Sequence, residues 1–161
     1  MVKPTGPKSS ISPHILADSS SSPGTYALIL ESQTSQVVQI GRWSAIEIQP
    51  GYYVYIGSAF GPGGVRARVA RHFRLEKSTH WHIDYLRRYL SPLGVWVCHS
   101  PARLEHCWAG RLSVAEGYAP LPGFGCSDCR CHSHLFHADE LENLAVLLRD
   151  GSGEIEWWPC G

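Results

Sequence analysis

Apolar residues along this chain fall into short runs whose period changes from segment to segment. Thr25-Tyr26-Ala27-Leu28-Ile29-Leu30 is a short apolar run of strand composition, and the serines near 32 to 35 read as a turn. Val37 to Gly41 and Ala45 to Ile48 predict two more short strands or one bent hairpin, ended by the turn signal Pro50-Gly51. Tyr52 to Ile56 is the next strand; its side chains alternate, so Tyr53 and Tyr55 share one face while Tyr52, Val54 and Ile56 share the other. Beyond the loop Gly61-Pro62-Gly63-Gly64 the period becomes helical. Val65, Val69 and Phe73 recur every four residues and predict a helix over about Val65 to Leu75. Arg68 and His72 are also four apart, rotated by roughly 60° from that stripe, which puts them at a cleft edge. A second helix is expected around Trp81 to Leu90, a strand near Gly94 to Cys98, and a third helix from Ala102 to Leu112 behind Ser100-Pro101. A Gly/Cys/His-rich stretch then runs to His137. A short acidic helix near Ala138 to Leu144, a strand at Ala145 to Leu148 and a tail complete the reading. There is no internal repeat.

Composition changes that picture little. The chain has 161 residues, 43% of them hydrophobic, which suits one domain with its own core. No window approaches 18 consecutive apolar residues, so no membrane span is expected. Residues 1 to 23 are Ser/Pro-rich and lack the apolar centre of a secretory signal. They read as a disordered leader ahead of a domain spanning 24 to 161, with the cytoplasm as the expected location. The six cysteines are then expected as thiols or metal ligands.

Charge changes it more. The formal net charge is zero, yet Val65 to Arg88 carries seven Lys/Arg against two acids, while Glu105 to the end carries nine acids against three arginines. Such a local cationic field can hold a polyanion without a basic isoelectric point; two solvated helix faces of opposite sign are the alternative.

Gly24-Thr25-Tyr26, then Tyr55-Ile56-Gly57, then an Arg and a His at i, i+4 on the following helix resemble the GIY-YIG nuclease superfamily. The longer strings Gly57-Ser58-Ala59, Gly63-Gly64, Arg71-His72, His80 to Leu86 and Gly123 to Cys131 resemble domain-of-unknown-function family 123, a GIY-YIG-like group sometimes joined to endonuclease III-type proteins. The resemblance spans about Gly24 to Phe136. Two departures stand out: Thr25 replaces the usual Ile, and almost thirty residues separate the two motifs, a gap that an extra hairpin at Val37 to Ile48 would absorb. The resemblance implies a small α/β domain, a short antiparallel or mixed sheet flanked by helices with that hairpin inserted.

It also implies a metal-dependent endonuclease using Mg²⁺ or Mn²⁺ and acting on DNA before RNA, in repair or processing. Phosphodiester hydrolysis needs an activated water, compensation for charge on the phosphoryl oxygens and a stabilised leaving alkoxide. By similarity Arg68 clamps the phosphate and Tyr26 and Tyr55 orient or deprotonate the water, one of them as phenolate near the metal. His72 assists proton transfer or binds phosphate, and Glu105 holds the metal. Arg66, Arg71, Arg74, Lys77, His80 and His82 are the expected nucleic-acid contacts. Asp84, on one helix face with His80, can fix that ring's tautomer or simply cap the helix with Trp81 and Tyr85 in the core.

Cys126, Cys129, Cys131 and His134 have the chemistry of a compressed zinc site, either from this loop alone or completed by Cys98, Cys107 or Cys160. A turn with small buried cysteines is the competing use. Gly61 to Gly64 lacks the Lys-Ser/Thr of a nucleotide-binding loop, so no nucleotide cofactor is expected. Two other functions remain open: a non-catalytic nucleic-acid-binding module on the same scaffold, and a zinc-stapled structural or interaction domain.

Overall fold

The computed structural model describes residues 21–74, 78–149 and 153–160. Lys77 and most of the expected leader lie outside them. The order is β1 (Gly24–Ser32), β2 (Gln36–Ile40), β3 (Ser44–Ile48), β4 (Gly51–Ala59), α1 (Gly64–Phe73), α2 (His82–Leu86), β5 (Ser91–Cys98), α3 (Glu105–Val114), β6 (Ala119–Pro120), β7 (Leu135–Ala138), α4 (Leu144–Leu148) and β8 (Ile155–Pro159). Six strands form one antiparallel sheet in the order β6-β7-β4-β1-β5-β8, and β2 and β3 form the expected inserted hairpin as a separate two-stranded sheet. The fold is thus α/β, with a mainly antiparallel sheet.

Central β1 is apolar throughout because both its faces are covered. Tyr26, Leu28 and Leu30 point into a layer built with Val65, Val69 and Phe73 of α1, Ile83 and Leu86 of α2, and Val38, Ile40 and Ile48 of the hairpin. Ala27 and Ile29 point the other way, onto Leu104, Trp108 and Leu112 of α3 and Leu144 and Leu148 of α4. The stripe read for α1 is fully buried apart from Phe73, at 9%. Alternation in β4 sends Tyr53 and Tyr55 to the first layer and Val54 and Ile56 to the second.

Three segments near the end differ from expectation. The stretch expected as an acidic helix instead follows strand β7 as an exposed turn bearing Asp139 and Glu140. The expected strand at 145 to 148 is helix α4, whose buried Leu144 and Leu148 stand one helical turn apart. The tail contains edge strand β8, paired with β5 from Gly94↔Pro159 to Cys98↔Ile155. Among the described residues no helix is long and apolar enough to cross a membrane.

Before α1 the backbone turns sharply. Gly64 adopts φ +62°, and a Cβ there would collide with the carbonyls of Ser21 and Ser22. The Val65 N–H donates to the Ser22 carbonyl at 3.1 Å, so the chain already engages the helix start before Gly24.

Candidate active site

The pairing of β1 with β4 sets Tyr26 opposite Gly57 and Leu28 opposite Tyr55. A Cβ on Gly57 would run into the Tyr26 hydroxyl and ring, so this strand glycine is the space in which Tyr26 lies. Both tyrosines open onto a cavity of about 470 Å³ that is also lined by Ser58, Arg68, Trp81 and Glu105. Residues from two strands and three helical or loop segments, 79 positions apart at the extremes in Tyr26 and Glu105, therefore meet in one cleft.

Helix α1 supplies the cation. The Arg68 guanidinium lies over the Trp81 ring at 4.5 Å, and that of Arg71 lies over the same ring at 4.0 Å. Arg71 has a further commitment: its two terminal nitrogens donate to both oxygens of buried Asp84 at 2.8 and 2.9 Å. Asp84 also accepts the backbone N–H groups of His80 and Trp81 at 2.9 Å each. The cap reading of Asp84 therefore holds, and Arg71, expected as a nucleic-acid contact, is paired with that carboxylate.

His72 is 1% exposed, behind Tyr26, whose hydroxyl lies 2.6 Å from His72 Nε2. It meets the cleft through that tyrosine and is not among the residues that line the cavity. Burial, with the neighbouring Tyr55 adding to it, pushes the Tyr26 phenol well above its ordinary value. Burial and then Glu105 push Tyr55 up as well. Burial thus favours the protonated form of both phenols, and the Tyr26 hydroxyl stands within hydrogen-bond reach of an imidazole.

Glu105 opens α3. Its Oε2 accepts from the Ser58 hydroxyl at 2.7 Å, and its Oε1 lies 3.1 Å from His134 Nδ1. Burial works to raise the carboxyl, but the His134 and Ser58 hydrogen bonds outweigh it and hold the group below its usual range, hence ionised. Thr25 sets the position of this helix: its buried hydroxyl accepts the Leu104 N–H at 3.2 Å, one of the donors a helix start leaves over. The residue that departs from the usual first motif thus ties the first strand to the carboxylate helix. Sequence reasoning missed this role; a buried Thr in an otherwise apolar strand was the available signal.

Behind Glu105 stands a cluster of soft ligands. His106, Cys129, Cys131 and His134 each offer one ligand atom, and these lie within 4.8 Å of one another, so the cluster can hold a metal ion. Three of the four were expected. Cys126 is not in this group and donates instead to the Phe124 carbonyl at 3.4 Å, whereas the fourth member is His106 from α3. Neither loop alone nor Cys98, Cys107 or Cys160 completes the set. His134 is drawn to about 9: burial works to lower it, and the Glu105 and Cys129 hydrogen bonds prevail.

The remaining expected contacts scatter. Arg66 is exposed on α1 and Arg74 at its C-terminal cap, where Arg74 lines a small groove shared with Arg68. His80 and His82 line the main cavity. His82 accepts the Gly125 N–H on Nδ1 at 3.0 Å and stacks on Trp43 at 4.6 Å, so it braces the loop as well as facing the cleft.

A family model described as a domain of unknown function, DUF123, matches residues 25–155, and the chain belongs to that family. No curated protein and no solved structure matches the chain.

Proposed function

We propose that this DUF123 chain is a metal-dependent nuclease of the GIY-YIG type that hydrolyses phosphodiester bonds, in DNA before RNA, in the cytoplasm. The observation that carries the reading is that Tyr26, Tyr55, Arg68 and Glu105, far apart in sequence, line one cavity. Its volume, about 470 Å³, suits a phosphate with its flanking sugar.

Arg68 supplies a permanent planar cation for the non-bridging oxygens, held in place by stacking on Trp81. Tyr26 and Tyr55 orient the attacking water. As the water loses a proton to the Tyr26 oxygen, the Tyr26 proton passes to His72 Nε2, so the buried pair acts as a relay and no free phenolate forms. Glu105, ionised and oriented by Ser58, suits a hard divalent cation, which needs only one or two protein carboxylates. Mg²⁺ or Mn²⁺ there supplies Lewis-acid compensation for charge on the attacking or leaving oxygen. A structural Zn²⁺ in the Cys/His cluster belongs to the same reading.

Plasmid and single-stranded substrates, incubated with Mg²⁺ or Mn²⁺ and with chelator, test this. Wild-type protein should cut only with metal. Arg68→Ala should lower kcat by about 10²–10³-fold, the usual cost of one preorganised oxyanion partner, with an unchanged melting temperature. Binding without cleavage by wild type would reduce the protein to a nucleic-acid-binding module, and full activity in Arg68→Ala would remove the mechanism.

A further inference from the structure

We infer that His106, Cys129, Cys131 and His134 hold one Zn²⁺, and that this ion, acting through His134, fixes the Glu105 carboxylate facing the cleft. The inference deepens the nuclease reading by naming a positioning residue for its metal-binding carboxylate, and its zinc half stands without that reading.

Two thiols and two imidazoles are a preferred structural zinc set, and four protein ligands leave no open position for substrate. Tetrahedral bonds of about 2.0–2.3 Å put ligand atoms roughly 3.5 Å apart. Here His106 Nδ1 and Cys131 Sγ stand 2.9 Å apart, Cys129 Sγ and His134 Nε2 3.2 Å, and the whole set falls within 4.8 Å. Small side-chain shifts close it around an ion. The ligands come from two elements, His106 from α3 and the other three from the loop before β7, so the ion joins segments that no disulfide links. A second groove, lined by His106, Cys129 and Cys131, gives the ion an entry path.

The link to the cleft lies in one ring. His134 is 2% exposed, with Nε2 toward the Cys129 sulfur and Nδ1 toward Glu105 Oε1 at 3.1 Å and the Ile56 carbonyl at 3.2 Å. An imidazole bound to metal through Nε2 carries its proton on Nδ1, and both neighbours of Nδ1 are acceptors. This is the arrangement in which a carboxylate fixes a metal-bound histidine, and such partners are worth about 10–100-fold in metal affinity. The constraint is mutual: the carboxylate that steadies the ring is steadied by it. Ser58 holds one Glu105 oxygen, the zinc-held ring holds the other, and the carboxylate cannot turn away from the cavity.

The test uses the full chain, stripped and then reloaded with Zn²⁺ or Co²⁺. Elemental analysis should give one zinc per chain, and Co²⁺ should give tetrahedral ligand-field bands with thiolate charge transfer. Zinc affinity, read by competition with a chromogenic chelator, should fall in His106→Ala and stay level in Cys126→Ser. Glu105→Ala should weaken zinc by 10-fold or more, while Glu105→Gln, which retains an acceptor for His134, should recover most of it; far-UV circular dichroism confirms that each variant is folded. Less than stoichiometric zinc at saturation, or loss of zinc in Cys126→Ser in place of His106→Ala, overturns the site. Wild-type zinc affinity in folded Glu105→Ala overturns the link. None of these measurements involves nucleic acid, so a zinc-loaded chain that never cuts defeats the nuclease reading alone.

Discussion

The Thr25 hydroxyl joins the strand of Tyr26 to the helix of Glu105, so a change of one atom should be felt on both sides of the cleft. Thr25→Val keeps the shape and removes the acceptor, leaving the Leu104 N–H buried without a partner. We expect a loss of about 1–3 kcal/mol in denaturant unfolding. Cleavage should fall while nucleic-acid binding holds, as a direct comparison of kcat and Kd would show. Gly57→Ala acts on the same pair from the other side, since its Cβ occupies the space of the Tyr26 ring. Overpacking of that kind costs about 1–3 kcal/mol and should displace the hydroxyl from His72; unaltered activity in that variant would contradict the relay. At this scale Tyr26, Tyr55 and Arg68 were legible through the resemblance of their motifs to a known superfamily, while helical spacing added only that Arg68 flanks the α1 packing stripe. His106 was not. A metal set split between a helix and a loop leaves no local spacing, so Cys126, inside the loop, was read in the place that His106 takes.

At the scale of elements, α3 presents consecutive residues to different tasks, Glu105 to the cleft and His106 to the metal cluster. The loop that carries the other ligands is braced from α2, where His82 accepts the Gly125 N–H. Burial holds His82 below its ordinary value. The unfolded chain therefore takes up this proton first, so the contribution of His82 is intact above about pH 6.5 and is lost as pH falls through the lower folded-state value. His82→Asn retains an acceptor that does not titrate; its melting temperature should decline less than that of wild type between about pH 7 and 5, by calorimetry. Parallel profiles would exclude His82 as the titrating brace. Helix α1 and the β2–β3 hairpin were legible because their periods are uninterrupted and their ends carry Gly or Pro. β7 and α4 were not, since runs of four or five residues have too few repeats to separate a period of 2 from one of 3.6.

For the whole molecule, a formal charge of zero conceals a cationic surface around α1. Arg66 and Arg74 are exposed there, and Arg74 lines a groove shared with Arg68. Binding to nucleic acid should weaken linearly in log salt, and each of Arg66→Ala and Arg74→Ala should reduce that slope by about 1 without altering cutting per bound complex. A slope indifferent to both would move the interface elsewhere. The three-layer build packs α1, α2 and the hairpin on one face of the sheet and α3 and α4 on the other, with Glu105 at the start of α3 reaching the cleft. One contact in the cleft carries an optical consequence. Trp81 lies under the guanidinium of Arg68, so a phosphate that draws Arg68 toward itself changes the electric field on an indole. Substrate arrival should therefore register as a change in tryptophan emission that disappears in Trp81→Phe, giving the cleft an intrinsic fluorescent report of occupancy before any bond is cut.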